Sequence, residues 1–130
     1  MHLILIAIGG ALGSVMRHLS FESITKLMRG ATYAHFPFHT LIINVVGSML
    51  AGILYYFMMR DFDVIDPRIK SFLLVGFLGG FTTFSAFSLD FFRLFLAGQE
   101  YLAFVYAFSS VTLAILFLFF GFYLMKIIFV

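Results

Sequence analysis

The chain contains no cysteine, which excludes a disulfide framework and any thiolate metal site. Charge is scarce too. Only 11% of residues are Asp, Glu, Lys or Arg, against 63% hydrophobic, where a soluble domain carries about 25% charged residues. A water-soluble chain of 130 residues has no way to hide so much apolar surface, since even a domain of about 150 residues buries only about 70% of it. The solvent expected for this chain is the lipid bilayer, and no nucleic acid partner is expected. No internal repeat, low-complexity tract or linker divides it, so residues 1–130 read as one domain. No basic n-region precedes the first apolar run, which is expected to stay as a span and not to be a cleaved leader.

Carboxylates are missing where one class of transporter needs them. The acidic residues are Glu22, Asp61, Asp63, Asp66, Asp90 and Glu100, and all but Asp90 fall in expected loops or at span ends. A proton-coupled cation exporter wants a carboxylate at mid-membrane, and none is expected there. No nucleophile–base pair and no metal-ligand cluster of side chains stands out, so the chain does not read as an enzyme. His2, His18, His35 and His39 lie near span ends and read as interfacial.

What is present is four apolar stretches, at about 3–21, 39–59, 69–96 and 101–128. Each is near or above the roughly 20 residues that cross a hydrocarbon core as a helix. The fold class expected is an all-α membrane protein with four transmembrane helices. The short turn after residue 96 makes the last two antiparallel neighbours. The third is expected to be broken near mid-membrane at Gly79-Gly80-Phe81-Thr82-Thr83-Phe84-Ser85. Paired glycines followed by β-branched threonines disfavour a regular helix. Irregular backbone at that depth is tolerated only inside protein or beside a cavity, and several freed carbonyl oxygens suit a hard cation such as Na⁺.

Basic residues hardly favour one side. Arg60, Arg68, Lys70 and Lys126 fall on one face, and Lys26, Arg29 and Arg93, with Arg17 near them, on the other. Positive charge in short loops normally sets orientation. The balance is either a weak signal in a short protein or the mark of a chain that inserts both ways and pairs as an antiparallel homodimer. Such a dimer would reproduce the inverted symmetry that many transporters carry within one chain.

The polar groups inside the spans are neutral donors. In the first span, Gly9 and Gly13 are four apart, as are Gly10 and Ser14, a spacing that lets helix backbones approach. Arg17 follows, either an anchor or an attractor of anions. In the second, Asn44, Gly47, Ser48 and Ala51 share a face. Asn44 reads as an interhelical hydrogen bond or a pore-lining donor. Phe84 and Phe87 share a face beyond the break, and a ring edge is positive. Thr83, Ser85 and Ser88 offer hydroxyls there. Tyr106 and Ser110 stand one turn apart on the last span, either a hydroxyl track or a packing face. That inventory suits a small anion held weakly enough to leave again.

At these residues the sequence resembles the Fluc/CrcB family of bacterial fluoride channels. The resemblance rests on Gly9-Gly10-Ala11-Leu12-Gly13-Ser14-Val15-Met16-Arg17, on Thr40-Leu41-Ile42-Ile43-Asn44-Val45-Val46-Gly47, and on the run from Gly76 to Phe87. It implies a multi-pass protein of the bacterial inner membrane, an antiparallel dual-topology homodimer with two pores, and passive export of fluoride that protects the cell from its toxicity. It implies a structural Na⁺ at the dimer centre on the backbone carbonyls of Gly79 and Thr82. Asn44, Phe84, Phe87, Ser85, Thr83, Tyr106 and Ser110 would line the fluoride path, with Arg17 at the vestibule. Ala114 departs from the hydroxyl track of some members, and Ala86 stands where Thr is common. The alternatives from other classes are a small four-helix multidrug or cation exporter and a membrane assembly factor that transports nothing.

Overall fold

The computed structural model describes residues 2–28, 36–60 and 64–129. Arg29, His35, Asp61 and Asp63 lie outside the described residues. All regular structure in the described chain is helical, and four helical spans are long and apolar enough to cross a membrane.

The first helix, α1, covers His2–Leu27. It runs past the expected end at residue 21 because polar side chains continue it. Glu22 pairs with His18 at 3.5 Å and with Lys26 at 3.9 Å, each four residues away, the spacing that supports an exposed helix. The second helix, α2, covers Phe38–Arg60 and starts directly after Pro37, as expected of a residue with a preset φ and no N–H.

The third span is assembled from pieces. Asp66 caps the short α3, Pro67–Lys70, by accepting the Arg68 N–H at 2.8 Å, and Pro67 opens the helix. Residues Ser71–Leu78 then widen into a π-helical segment, a feature the apolar pattern gives no sign of. One turn of α4, Gly79–Phe81, follows. Helical geometry stops at Thr82 (φ −82°, ψ 156°) and Thr83 (φ −150°, ψ 123°). It resumes as α5, Phe84–Leu96, where the Thr83 hydroxyl caps the new helix by accepting the Ala86 N–H at 3.2 Å. Gly98, at φ +72°, turns the chain into α6, Glu100–Ile128.

Two seams hold these helices together, and in both the backbones nearly touch. In the first, α1 lies along the π-helical segment and α4. A Cβ at Gly9 would stand 2.6 Å from the Phe72 carbonyl oxygen, and one at Gly76 2.8 Å from that of Ile6. Added carbons at Gly13 and Gly80 would overlap the carbonyls of Phe77 and Gly10. The glycine pattern of α1 therefore serves packing within one chain. In the second seam α2 lies along α6, with Gly52 against the Leu118 carbonyl and Gly121 against that of Met49. Lipid tails are as apolar as the side chains, so close backbone packing is what holds such helices together. The half of the third span beyond the break, α5, packs on α6 and more lightly on α2.

Candidate functional site

The break is held open by one side chain. Asn44, on α2, accepts the Thr83 N–H on Oδ1 at 2.8 Å and donates from Nδ2 to the Thr83 carbonyl at 3.0 Å. Its amide thus completes both backbone groups of a residue that has left the helix. In an uninterrupted helix the Thr83 N–H would serve the Gly79 carbonyl and the Ala86 N–H that of Thr82. Asn44 takes the first and the Thr83 hydroxyl the second. Gly79 and Thr82 are therefore among the residues whose carbonyls lose their helical partners, together with Gly80 and Phe81. The Thr82 hydroxyl donates to the Leu78 carbonyl at 2.9 Å, and the Gly80 carbonyl accepts from Ser14 Oγ at 3.5 Å. Gly79 is on the open surface of the single chain.

Gly47, one turn from Asn44, explains how α2 comes so close. A Cβ there would run into the Thr82 methyl and stand 3.2 Å from the Phe81 ring. Asn44 therefore contacts the break only because its neighbour has no side chain.

A cleft of about 230 Å³ opens beside this clamp, between α2, α5 and α6. It gathers five of the residues singled out in the sequence: Asn44, Thr83, Phe84, Phe87 and Ser110. Ser48 and Thr82 add further hydroxyls, and Ala114 presents only a methyl at its end. The rings of Phe84 and Phe87 are 5.2 Å apart, tilted by 39°. Phe84 is 76% exposed on the single chain, a large apolar side chain with nothing from its own fold covering it. Asn44 has spent one of its two N–H donors on Thr83, which leaves the other for a ligand.

Two expected residues stand elsewhere. Ser85 faces a separate open cavity with Arg17, Ser14 and Thr83, and its hydroxyl is 3.1 Å from that of Thr83. Arg17 and the break are thus neighbours, with Thr83 lining the spaces on both sides. Tyr106 lies behind the cleft, fully buried, its ring 5.3 Å from Phe87 and edge-on to Phe36 at 5.6 Å. Its hydroxyl and that of Ser110 are buried with no hydrogen-bond partner in good geometry, although the hydroxyls of Thr40 and Ser110 are near Tyr106.

Sequence reasoning gave no role to Thr40 and Asp90. Thr40 Oγ1 donates to Asp90 Oδ2 at 2.6 Å, and both residues are buried. Arg93 stands 3.6 Å from the other carboxylate oxygen. A signal existed, since Asp90 was the one acidic residue away from the loops and Arg93 follows it at helical spacing. Among the described residues no group of three or more acidic, His or Cys side chains forms a metal site.

Known proteins resemble the chain over nearly all its length. Residues 4–122 match the family model described as "CrcB-like protein, Camphor Resistance (CrcB)". The chain is 43% identical over 125 residues to a protein of Rhizobium meliloti (strain 1021) named "Fluoride-specific ion channel FluC", with 96% of each chain covered. Identity is 42% over 125 residues to the protein of that name from Chelativorans sp. (strain BNC1), again covering 96% of each. It is 39% over 126 residues to "Fluoride-specific ion channel FluC 2" of Nitrobacter hamburgensis, covering 97% of this chain and 98% of the other.

Proposed function

From the chain's place in the CrcB family, to which it belongs, we propose that it is a fluoride-selective channel that lets cytoplasmic fluoride leave passively. The observation that carries the reading is the cleft at the break. It offers an uncommitted amide N–H on Asn44, the hydroxyl of Ser48 and the rings of Phe84 and Phe87, with Thr83 and Ser110 in its wall. Neutral donors replace the water of a small anion without holding it by charge, which conduction requires. Ring edges add a weak positive field. Arg17, close by the break, raises the local concentration of anions.

The working unit we propose is an antiparallel homodimer of dual topology in the inner membrane of a bacterium. Exposure of Phe84 on the single chain, the outward Gly79 and the balance of basic residues support it. Thr82 and Thr83 fall near the midpoint of the span Pro67–Leu96, which supports a break at mid-membrane. The Gly79 and Thr82 carbonyls, with their usual amides taken by Asn44 and Thr83, have the chemistry to hold Na⁺. Na⁺ there would neutralise oxygen dipoles and fix the two breaks together. Among the described residues the buried carboxylate, Asp90, is tied to Thr40 and Arg93, which argues against a proton-coupled exporter.

The test is ion efflux from liposomes containing the purified protein, followed by ion-selective electrodes. Fluoride should leave rapidly and chloride should stay. A folded protein that passes no fluoride would sink the proposal, and equal chloride efflux would sink its selectivity.

A further inference from the structure

A second polar space lies beyond the break. A cavity of about 140 Å³ is lined by Arg17, His39, Thr40, Asp90 and Arg93, and it touches Thr83 on its inner side. His39, Asp90 and Arg93 also line an outer cavity of about 340 Å³ that reaches the turn at Gln99. These three side chains therefore form the wall common to an inner and an outer space.

His39 is placed so that its proton changes its bonding. Nδ1 accepts the backbone N–H of Thr40 at 2.7 Å, so in that state the ring is neutral and carries its proton on Nε2. Nδ1 is also 3.0 Å from Thr40 Oγ1, whose own proton is given to Asp90 at 2.6 Å. A protonated Nδ1 has no lone pair for the Thr40 N–H. It must turn to donate to Thr40 Oγ1, which extends a chain of hydrogen bonds from imidazolium to hydroxyl to carboxylate. The ring is held against Phe21 of α1, centroids 4.2 Å apart, so the charge would appear at this wall and not in free solvent.

The charged groups facing His39 are Arg17 on α1 and Asp90 and Arg93 on α5, with Glu22 and His18 further along α1. With neutral His39 the wall carries two cations and one anion. Protonation adds a third cation beside the carboxylate, the group most repellent to an approaching anion. We propose that this space is an anion-capturing mouth whose strength is set by the protonation of His39, with more anion drawn in when its side of the membrane is acid. The inference rests on the channel reading above.

The test measures fluoride efflux from liposomes between about pH 5.5 and about pH 8, the range in which imidazole changes charge, after subtracting protein-free liposomes. Wild-type efflux should rise roughly three- to five-fold from the alkaline to the acid end of that range, the scale of one added charge near the path. His39→Gln should remove the rise, His18→Gln should keep it, and His39→Lys should hold the low-pH rate at every pH. A rise that survives in His39→Gln, or a flat wild-type profile, would overturn the inference and leave the channel standing. Absence of efflux at every pH from a dimer that is intact by size exclusion would instead refute the channel reading, and the inference with it.

Discussion

The third span has two halves that do opposite things. Before the break, the π-helical segment and α4 lie against α1 through glycine. The contact is backbone on backbone, and the polar groups that reach it, Ser14 and the His2–Ser71 pair, sit at its edges. After the break, α5 faces α2 and α6 across side chains that hydrogen-bond or leave space. The first half has no room for an added atom at Gly9, Gly13, Gly76 or Gly80, and the second is built around a cleft. One span can do both because Thr82 and Thr83 interrupt it, so each half takes its own direction. Sterics should therefore dominate mutations on one side and chemistry those on the other.

The largest effect is expected in the glycine half. Gly13→Leu places a side chain on the Phe77 carbonyl and near the Phe81 N–H. Backbone cannot yield as a flexible side chain does, so the cost should exceed the usual 1–3 kcal/mol of overpacking, at about 3 kcal/mol or more. The variant should be lost from the folded peak on size exclusion in detergent. A normal folded yield would show that this seam is loose and would remove the contrast between the halves.

Asn44→Asp comes next and tests the other half. The carboxylate still accepts the Thr83 N–H but cannot donate to the Thr83 carbonyl, and it puts negative charge in the cleft. The Thr83 carbonyl keeps its intrahelical bond as the N-cap of α5, so the lost hydrogen bond costs about 1 kcal/mol, a loss that a dimer can survive. Fluoride efflux should fall by about a hundred-fold or more, since a fixed negative charge at ~4 Å repels an anion by several kcal/mol at an effective dielectric near 20. Wild-type efflux from a folded Asn44→Asp protein would refute the donor role and leave only the clamp.

The two halves were unequally legible in the sequence. Four spans, the tight turn before the last helix and the break were readable, because apolar length and Gly-Gly-x-Thr-Thr are local signals. The small-residue spacing of Gly9 and Gly13 announced close packing but not its partner. The π-helical stretch at Ser71–Leu78 has an ordinary apolar sequence, so nothing in its pattern separates it from α-helix. For Asn44, hydrogen bond and donor stood as alternatives. The amide serves Thr83 and keeps one N–H free, a division that depends on tertiary position. The Thr40–Asp90 pair joins residues fifty positions apart, which no local reading could bring together.

The smallest effect on stability is expected at Tyr106, where the contrast between fold and chemistry is sharpest. Its ring fills the core against Phe87 and Phe36, while its hydroxyl is buried without a well-formed hydrogen bond. Tyr106→Phe keeps the ring and removes only the oxygen. Because no good bond is lost and an unsatisfied buried group is removed, stability should be unchanged or rise by up to about 1 kcal/mol. If the hydroxyl serves a passing anion together with Ser110, efflux should still fall, by roughly three- to ten-fold, the worth of one modest hydrogen bond. The two measurements are a thermal melt in detergent and the liposome efflux assay on the same preparation. A fall in efflux with an unchanged melt would place the hydroxyl on the path. Unchanged efflux would make Tyr106 a packing residue behind Phe87, and the polar wall of the cleft would then end at Ser110.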